Sequence, residues 1–491
     1  MAIDRNLLFA RRLGVGLAPN EELPAPPRDW AMAQLRSVPP LDFYDKSGNS
    51  LLTKLPAYAK PFENFDESLR NFEEKWTLQK KLFESSKNLA PGAFDQQMFE
   101  QVIYPYVVTA RWRDCLVQSL TAVNGKSPVF ERFWWFWCNH FTVSTTNLEQ
   151  PMIYGTHTRL IRDGMTESFR DLLYAAITSP AMVVYLDNYI STGPHSQAGH
   201  DPQIIKAGSA NLNENLGREL LELHTVSPAA GYAQKDVTET ALLLTGWQYY
   251  AGLPTHPQKK PGVKYGSWFQ VERHEPGART IMGKVYKPKG DGRNQLADLI
   301  TDLASHPYTI KHLATKLARS FVADNPPQES IDRIAKVFDD SKGDLIAVHS
   351  AVVDEVMTYA ETTPKFTTPI NWLMQSYKAT GADVPIFEPK GAAESIHFVY
   401  REMGETYDES PQPNGYSDVI DDWLSKAMID RRVRQAYRIG VSASVLGIQE
   451  IGDYAARLAG SDSPLVTLVR RAESVPNAVA ILLASPQFLF I

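Results

Sequence analysis

The sequence is short of nearly everything that would announce its chemistry. Its 491 residues include only two cysteines, Cys115 and Cys138. That excludes a disulfide scaffold, and two thiols cannot form a zinc site without help from histidine or carboxylate. Both lie in aromatic-rich helical stretches and read as buried thiols. Long apolar runs are missing too. The one nearest the C-terminus, residues 479–484, falls far short of the roughly 20 residues that span a bilayer. Residues 1–27 lack the apolar stretch, roughly 7–15 residues long, of a secretory signal. Arg11-Arg12 is followed by GVGLAPNEELPAPP, too polar and proline-rich for a twin-arginine signal. By its own signals the chain is expected in the cytoplasm; a periplasmic or exported location would need a partner that carries the signal.

No charge of one sign dominates. Fifty Lys and Arg face 56 Asp and Glu, for a net charge of −6, so composition gives no reason to seek nucleic acid or an anionic membrane. With 43% hydrophobic and 22% charged residues, wholesale disorder and a multispan membrane protein are excluded. Catalytic fingerprints are absent as well: there is no H-E-x-x-H, G-x-S-x-G, Walker loop or G-x-G-x-x-G. Glu219-x-x-Glu222 lacks the histidine that dinuclear carboxylate bundles use. The acidic run 339–344 lacks the closing glutamate of a calcium loop and reads as a helix cap before Leu345.

Helical periodicity is what is present. It predicts helices over 4–13, 28–37, 66–86, 95–122, 128–141, 151–163, 167–177, 179–187, 211–224 and 235–247. Further helices are expected over 293–304, 307–322, 328–339, 344–356, 366–378, 388–402, 416–424 and 464–484, with more around 430–458. Residues 128–141 are apolar almost all round, which predicts burial. The glycine- and proline-rich region 248–292 departs from this pattern and alternates around Glu275-Pro276-Gly277. The fold class is therefore mainly α, a multi-helix array with a small inserted β-hairpin or β-ribbon near 265–287. The length exceeds what one core usually serves. Two lobes are expected: 1–325, carrying the motif helices and the β-like insertion, and 326–491, packed on it. A second loop is expected near 188–210.

The densest polar cluster is NLNENLGRELLELH, residues 211–224. At about 100° per residue, with Glu214 at zero, Arg218, Asn211, Glu222, Asn215 and Glu219 fall within an arc of about 140°. Leu216, Leu220 and Leu223 lie opposite. His224 lands near 280°, off the arc unless the helix ends before Ser227-Pro228. A solvated face with Glu214–Arg218 and Arg218–Glu222 pairs is the plain reading. Three asparagines, no lysine and Gly217 favour a buried polar network or a site, because better helix formers suit a surface. Asp236 and Glu239 open the next helix and suit its dipole. His140 ends the aromatic helix as a core histidine, a metal ligand or an acid–base group, and His274-Glu275 is expected at the hairpin tip. His195, His200 and His256 fall in polar loops. His306, His312, His349 and His397 fall in ordinary helical contexts, and none of these seven is given a role.

These segments carry a resemblance. Trp137-Cys-Asn-His140-Phe-Thr-Val143, NENLGRELLELHTVS (213–227) and GYAQKDVTETALLLTGW (231–247) resemble the bacterial family catalogued as domain of unknown function 1800. Phe269 with HEPG (274–277), HLATKLARSFV (312–322), FTTPINWLMQSYKATG (366–381) and the closing LLASPQFLFI follow in family order. The resemblance implies no particular reaction. It implies proteins that are often exported, and often encoded beside a sulfatase-like family, domain of unknown function 1501, hence a protein partner of that kind. This chain departs from the family in lacking an export signal and in having Ala233-Gln234 where a hydroxyl residue precedes the glutamine.

The leading expectation is a metal-assisted or acid–base enzyme of the hydrolase type. Glu214, Arg218, Glu219 and His224 are its candidate catalytic residues. His140, His274 and Glu222 would hold one divalent metal, since imidazole with carboxylate suits Zn, Fe or Mn. A non-catalytic partner of an exported enzyme or surface structure is the rival, and a purely structural scaffold the third reading.

Overall fold

The structure, a computed structural model, describes residues 4–55, 104–145, 150–206, 211–249, 267–386, 396–442 and 444–491. The expected helix at 66–86 and the start of the one at 95–122 lie outside these residues. Helices α1 (Arg5–Leu13) and α2 (Pro27–Leu35) lead to α3 (Tyr104–Asn124), α4 (Pro128–His140) and α5 (Gln150–Gly164). Then come α6 (Phe169–Ile177), α7 (Pro180–Tyr185), α8 (Pro202–Lys206), α9 (Asn215–Glu222) and α10 (Gln234–Leu244). Beyond two small sheets lie α11 (Asn294–Ala304), α12 (Pro307–Phe321), α13 (Gln328–Asp340), α14 (Leu345–Tyr359), α15 (Pro369–Thr380) and α16 (Ile396–Met403). The chain closes with α17 (Lys426–Gly440), α18 (Ile448–Ala459), α19 (Pro464–Arg470), α20 (Val475–Leu483) and α21 (Pro486–Leu489). The mainly α expectation holds.

Short sequence signals set many of these boundaries. Ser179-Pro180, His306-Pro307, Ser463-Pro464 and Ser485-Pro486 each place a side-chain acceptor at the cap and proline in the first turn. There the missing N–H costs nothing. The same device divides the expected helix 464–484: Ser474 accepts from the Asn477 N–H and starts α20 afresh. Only a single 3₁₀ turn, Ile420–Asp422, forms within 416–424.

Among the described residues the strands form two antiparallel pairs. β1 (Trp247–Tyr249) pairs with β2 (Ser267–Phe269), and β3 (Arg279–Ile281) with β4 (Lys284–Tyr286). Met282 and Gly283 both have positive φ, 48° and 78°, as a tight hairpin turn with matching twist requires. The tip is therefore at 282–283. His274-Glu275 lies between β2 and β3 and is buried, not at the tip as the alternation suggested.

One apolar cluster runs from Leu7 to Leu489. It continues past residue 325, where α12 and α13 pack directly on each other. Arg11 and Arg12 are buried within it. Arg11 donates to the Phe488 carbonyl at 2.6 Å and to Gln375 at 2.8 Å. Arg12 donates to the carbonyls of Val322 and Ile491. Among the described residues no helix is long and apolar enough to cross a membrane.

Candidate functional site

Helix α9 is shorter than its periodicity suggested. It closes at Glu222 because the N–H groups of Leu223 and His224 both reach the Glu219 carbonyl, each at 3.0 Å. The Thr225 hydroxyl then donates to the Leu220 carbonyl at 2.5 Å. Leu216, Leu220 and Leu221 are buried on one side. Gly217 meets α10: a Cβ there would lie 2.8 Å from the backbone nitrogen of Ala241. The glycine thus serves the helix crossing and not the chemistry.

The polar arc is half-exposed. At its N-terminal end Glu214 accepts from Thr238 Oγ1 at 2.6 Å and from Gln234 Nε2 at 2.7 Å. Arg218 lies 3.3 Å from Glu214 and donates to Gln234 Oε1 at 3.1 Å. One turn on, Tyr232 donates to Glu222 at 3.4 Å. Burial raises the Glu219 carboxyl above its ordinary range and the neighbouring Glu222 adds to this, while Arg218 opposes it. Tyr185 and Tyr232 are each pushed up to about 12, first by burial and then by these carboxylates. Both remain donors at neutral pH. The face therefore offers a carboxyl raised by its surroundings, a second carboxylate, two phenols and a guanidinium.

Behind this face lies a cluster of imidazoles, with His140 and His224 buried and His312 half-buried. His140 Nδ1 accepts from the Lys316 ammonium at 3.1 Å, so its proton sits on Nε2, which faces the His224 carbonyl at 3.4 Å. His312 Nε2 donates to the Leu223 carbonyl at 3.1 Å. Two imidazoles thus cap the carbonyls that α9 leaves unsatisfied at its end. His224 packs its ring 5.6 Å from His140 and is buried. Burial, with Lys316 nearby, holds His140 well below the usual range, His224 down to about 3 and His312 to about 4. Burial also lowers Lys316 to about 8. Neighbouring residues of the aromatic motif are hooks as well. Trp137 donates to His349 at 2.9 Å, Asn139 grips the backbone N–H and carbonyl of Tyr416, and the Phe141 carbonyl accepts from His157 at 2.7 Å.

His274 belongs elsewhere. Its nitrogens are taken by the Thr245 carbonyl at 2.9 Å and Gln295 Oε1 at 3.2 Å. Its neighbour Glu275, 4% exposed, accepts from the backbone N–H and ring of His195, which is 76% exposed. That contact fastens the 188–206 segment to the β insertion. Asp236 accepts from the N–H groups of Ala233 at 2.8 Å and Met282 at 2.7 Å, so it both caps α10 and holds the hairpin. Among the described residues His140, Glu222 and His274 do not gather into a ligand set; one other trio does, Cys115, His397 and Asp408.

Sequence reasoning missed Lys316, His157, His312 and His349. It also missed a small half-open cavity of about 50 Å³ lined by Arg132, Asn371, Glu405, Tyr407 and Asp418. Burial lifts Glu405 there to about 7. The available signal for the first group was His312 and Lys316 one helical turn apart, each next to an apolar position, Leu313 and Leu317.

A short carboxylate-bearing helix seated on a neutral imidazole cluster, in a helical frame, defines the class by its motif residues and by no known catalytic signature. The chain belongs to the family described as Protein of unknown function (DUF1800), whose profile matches residues 9–490. No curated protein and no solved structure gives a match.

Proposed function

We propose that the chain is an acid–base enzyme of the hydrolase type, working at the half-exposed face of α9. The observation that carries this reading is a pair of carboxylates one turn apart, of which Glu219 is raised by burial and by Glu222. Pairs whose environments push them apart divide into proton donor and proton acceptor. Glu219 is the general acid and Glu222, held by Tyr232, its partner base. Arg218 orients an anionic or polar substrate group, and Glu214 positions Arg218. His224 lies behind the face as a packing residue. His140 and His274 are engaged elsewhere, so this mechanism runs without the divalent metal expected at His140, His274 and Glu222. The test is turnover of a panel of esters, phosphoesters and glycosides by the parent, Glu219→Gln and Glu222→Gln. Each substitution is expected to lower kcat about 100-fold or more. A hydrolytic activity that survives Glu219→Gln unchanged sinks the reading.

A second reading rests on a different observation. Ile190, Ile205 and Val271 are exposed on the two segments that flank the motif pair. Those segments are joined, since the Gly193 N–H donates to the Arg273 carbonyl at 2.9 Å. Such a surface suits a protein partner of the sulfatase-like kind, domain of unknown function 1501, and with it an exported location. Co-purification at fixed stoichiometry, lost on Ile205→Asp with Val271→Asp, would support it. Elution of the chain alone from its native host would count against it.

A further inference from the structure

Cys115 on α3, His397 on α16 and Asp408 in the segment that follows are all buried. Their donor atoms form a nearly equilateral triangle. Cys115 Sγ lies 3.7 Å from His397 Nδ1 and 3.9 Å from Asp408 Oδ1, and Nδ1 lies 3.7 Å from Oδ1. The last separation is too long for a direct N–H···O hydrogen bond. It is close to the spacing of ligands that share one ion. With zinc bonds of about 2.3 Å to sulfur and about 2.0–2.2 Å to nitrogen and oxygen, tetrahedral ligand atoms stand about 3.3–3.6 Å apart. Contraction of a few tenths of an ångström would close the site.

A nucleophilic triad is the obvious competitor, because cysteine, histidine and aspartate are its residue types. In that arrangement the histidine bridges, with one nitrogen toward the thiol and the other toward the carboxylate. Here thiol and carboxylate face the same nitrogen, Nδ1. All three side chains are also buried, whereas a nucleophile has to meet its substrate. The surroundings fit a ligand set instead. Thr145 Oγ1 donates to Asp408 Oδ2 at 3.0 Å, and Oδ1 faces Cys115 Sγ and His397 Nδ1. Hydrogen bonds of this kind orient a metal-binding carboxylate. Thiolate with imidazole favours zinc or a similar transition ion over calcium or magnesium.

We propose that Cys115, His397 and Asp408 hold one zinc ion, or a transition metal of similar preference, which fastens α3 to α16 and to the segment after it. The thiol gives up its proton on binding. This site is independent of the α9 face and of His140, Glu222 and His274. The first measurement is elemental analysis of the full chain, purified without chelator or histidine tag and reconstituted with zinc alone. One equivalent is expected. It is lost in Cys115→Ser and in Asp408→Asn, and kept in Cys138→Ser, His140→Gln and His274→Gln. Cobalt reconstitution of the unaltered chain gives a readout that does not depend on a variant folding: the sulfur-to-cobalt charge-transfer band of a single thiolate is expected. Well-folded protein that takes up neither ion, cobalt bound without that band, or a metal content unmoved by Cys115→Ser would each overturn the proposal.

Discussion

The open and sealed sides of the 213–227 motif put titratable groups to opposite uses. On the open side Glu214, Arg218 and Glu222 exchange hydrogen bonds at half-exposed positions, and Glu219 is raised while still within reach of a solute. On the sealed side His140, His224 and His312 are driven neutral by burial, and His140 and His312 are spent on backbone carbonyls and an ammonium. Both sides hold perturbed groups. The carboxylates are open to solvent whereas His140 and His224 are not, and perturbation without access is as consistent with architecture as with catalysis. The comparison teaches that the histidines of this motif support the helix that carries the carboxylates.

The largest effect expected from this contrast is acid instability of the sealed side. His157 and His312 fall to about 4 and His224 and His349 to about 3 in the folded chain. In the unfolded chain each titrates near 6.5. Between those values the unfolded state binds more protons, so stability is fully present above about pH 6.5 and is lost as pH falls toward 4. Each such imidazole contributes about 1.4 kcal/mol per pH unit. Urea unfolding followed from pH 7 to 4.5 should show a loss of several kcal/mol, and His312→Gln should reduce the slope by about one proton. A flat profile would mean that these imidazoles are not neutral and sealed.

Next in size is His140→Ala. It removes the acceptor of the buried Lys316 ammonium and the group facing the His224 carbonyl. An unanswered buried charge costs more than a lost neutral hydrogen bond, and a loss of about 3 kcal/mol is expected in thermal or urea unfolding. His140→Gln, which keeps an acceptor, should recover part of it. A cost below about 1 kcal/mol would show that His140 is not a structural element.

The two sides also differ in how far the sequence reveals them. The carboxylate arc was legible because it lies within one helix, where a fixed angle per residue places Glu214, Arg218, Glu219 and Glu222 together. Most of the helical array was legible for the same reason. The imidazole cluster draws on α4, α5, α12, α14 and the end of α9, and no local period links residues so far apart in the chain. Cys115 and His397 are 282 positions apart, so neither could suggest the other. His274 was misplaced at a hairpin tip because Glu-Pro-Gly reads as a turn. The actual turn at 282–283 became visible only once the positive φ of Met282 was known. Gly217 reads in sequence as favouring a buried polar network or a site, whereas its neighbour Ala241, on a different helix, explains it.

That last point gives a third, smaller test, which separates architecture from chemistry within α9 itself. Alanine at 217 gains about 1 kcal/mol of helix propensity. Against this, its Cβ would stand 2.8 Å from the Ala241 nitrogen and 3.0 Å from its Cα, and backbone atoms cannot swing aside. Overpacking of this kind costs about 1–3 kcal/mol, so Gly217→Ala should destabilise by about 1 kcal/mol net by thermal unfolding. A stabilised variant would mean that α9 and α10 stand further apart.

The smallest expected change in stability is also the most discriminating. A carboxyl raised by its surroundings is one whose ionised form the fold disfavours, so Glu219 costs the folded state stability at pH values above its unfolded pKa. Removing that charge with Glu219→Gln should leave the fold as stable as before, or more stable by a few tenths of a kcal/mol, because solvent screens a half-exposed pair. The sign should reverse from that of His140→Ala, on the other side of the same motif. If Glu219→Gln were instead to destabilise the chain by 1 kcal/mol or more, roughly the cost of breaking a structural hydrogen bond, the carboxyl would belong to the architecture. The open face would then be a continuation of the sealed one. A variant that melts like its parent while losing turnover would place the chemistry at Glu219, on the accessible side of the motif.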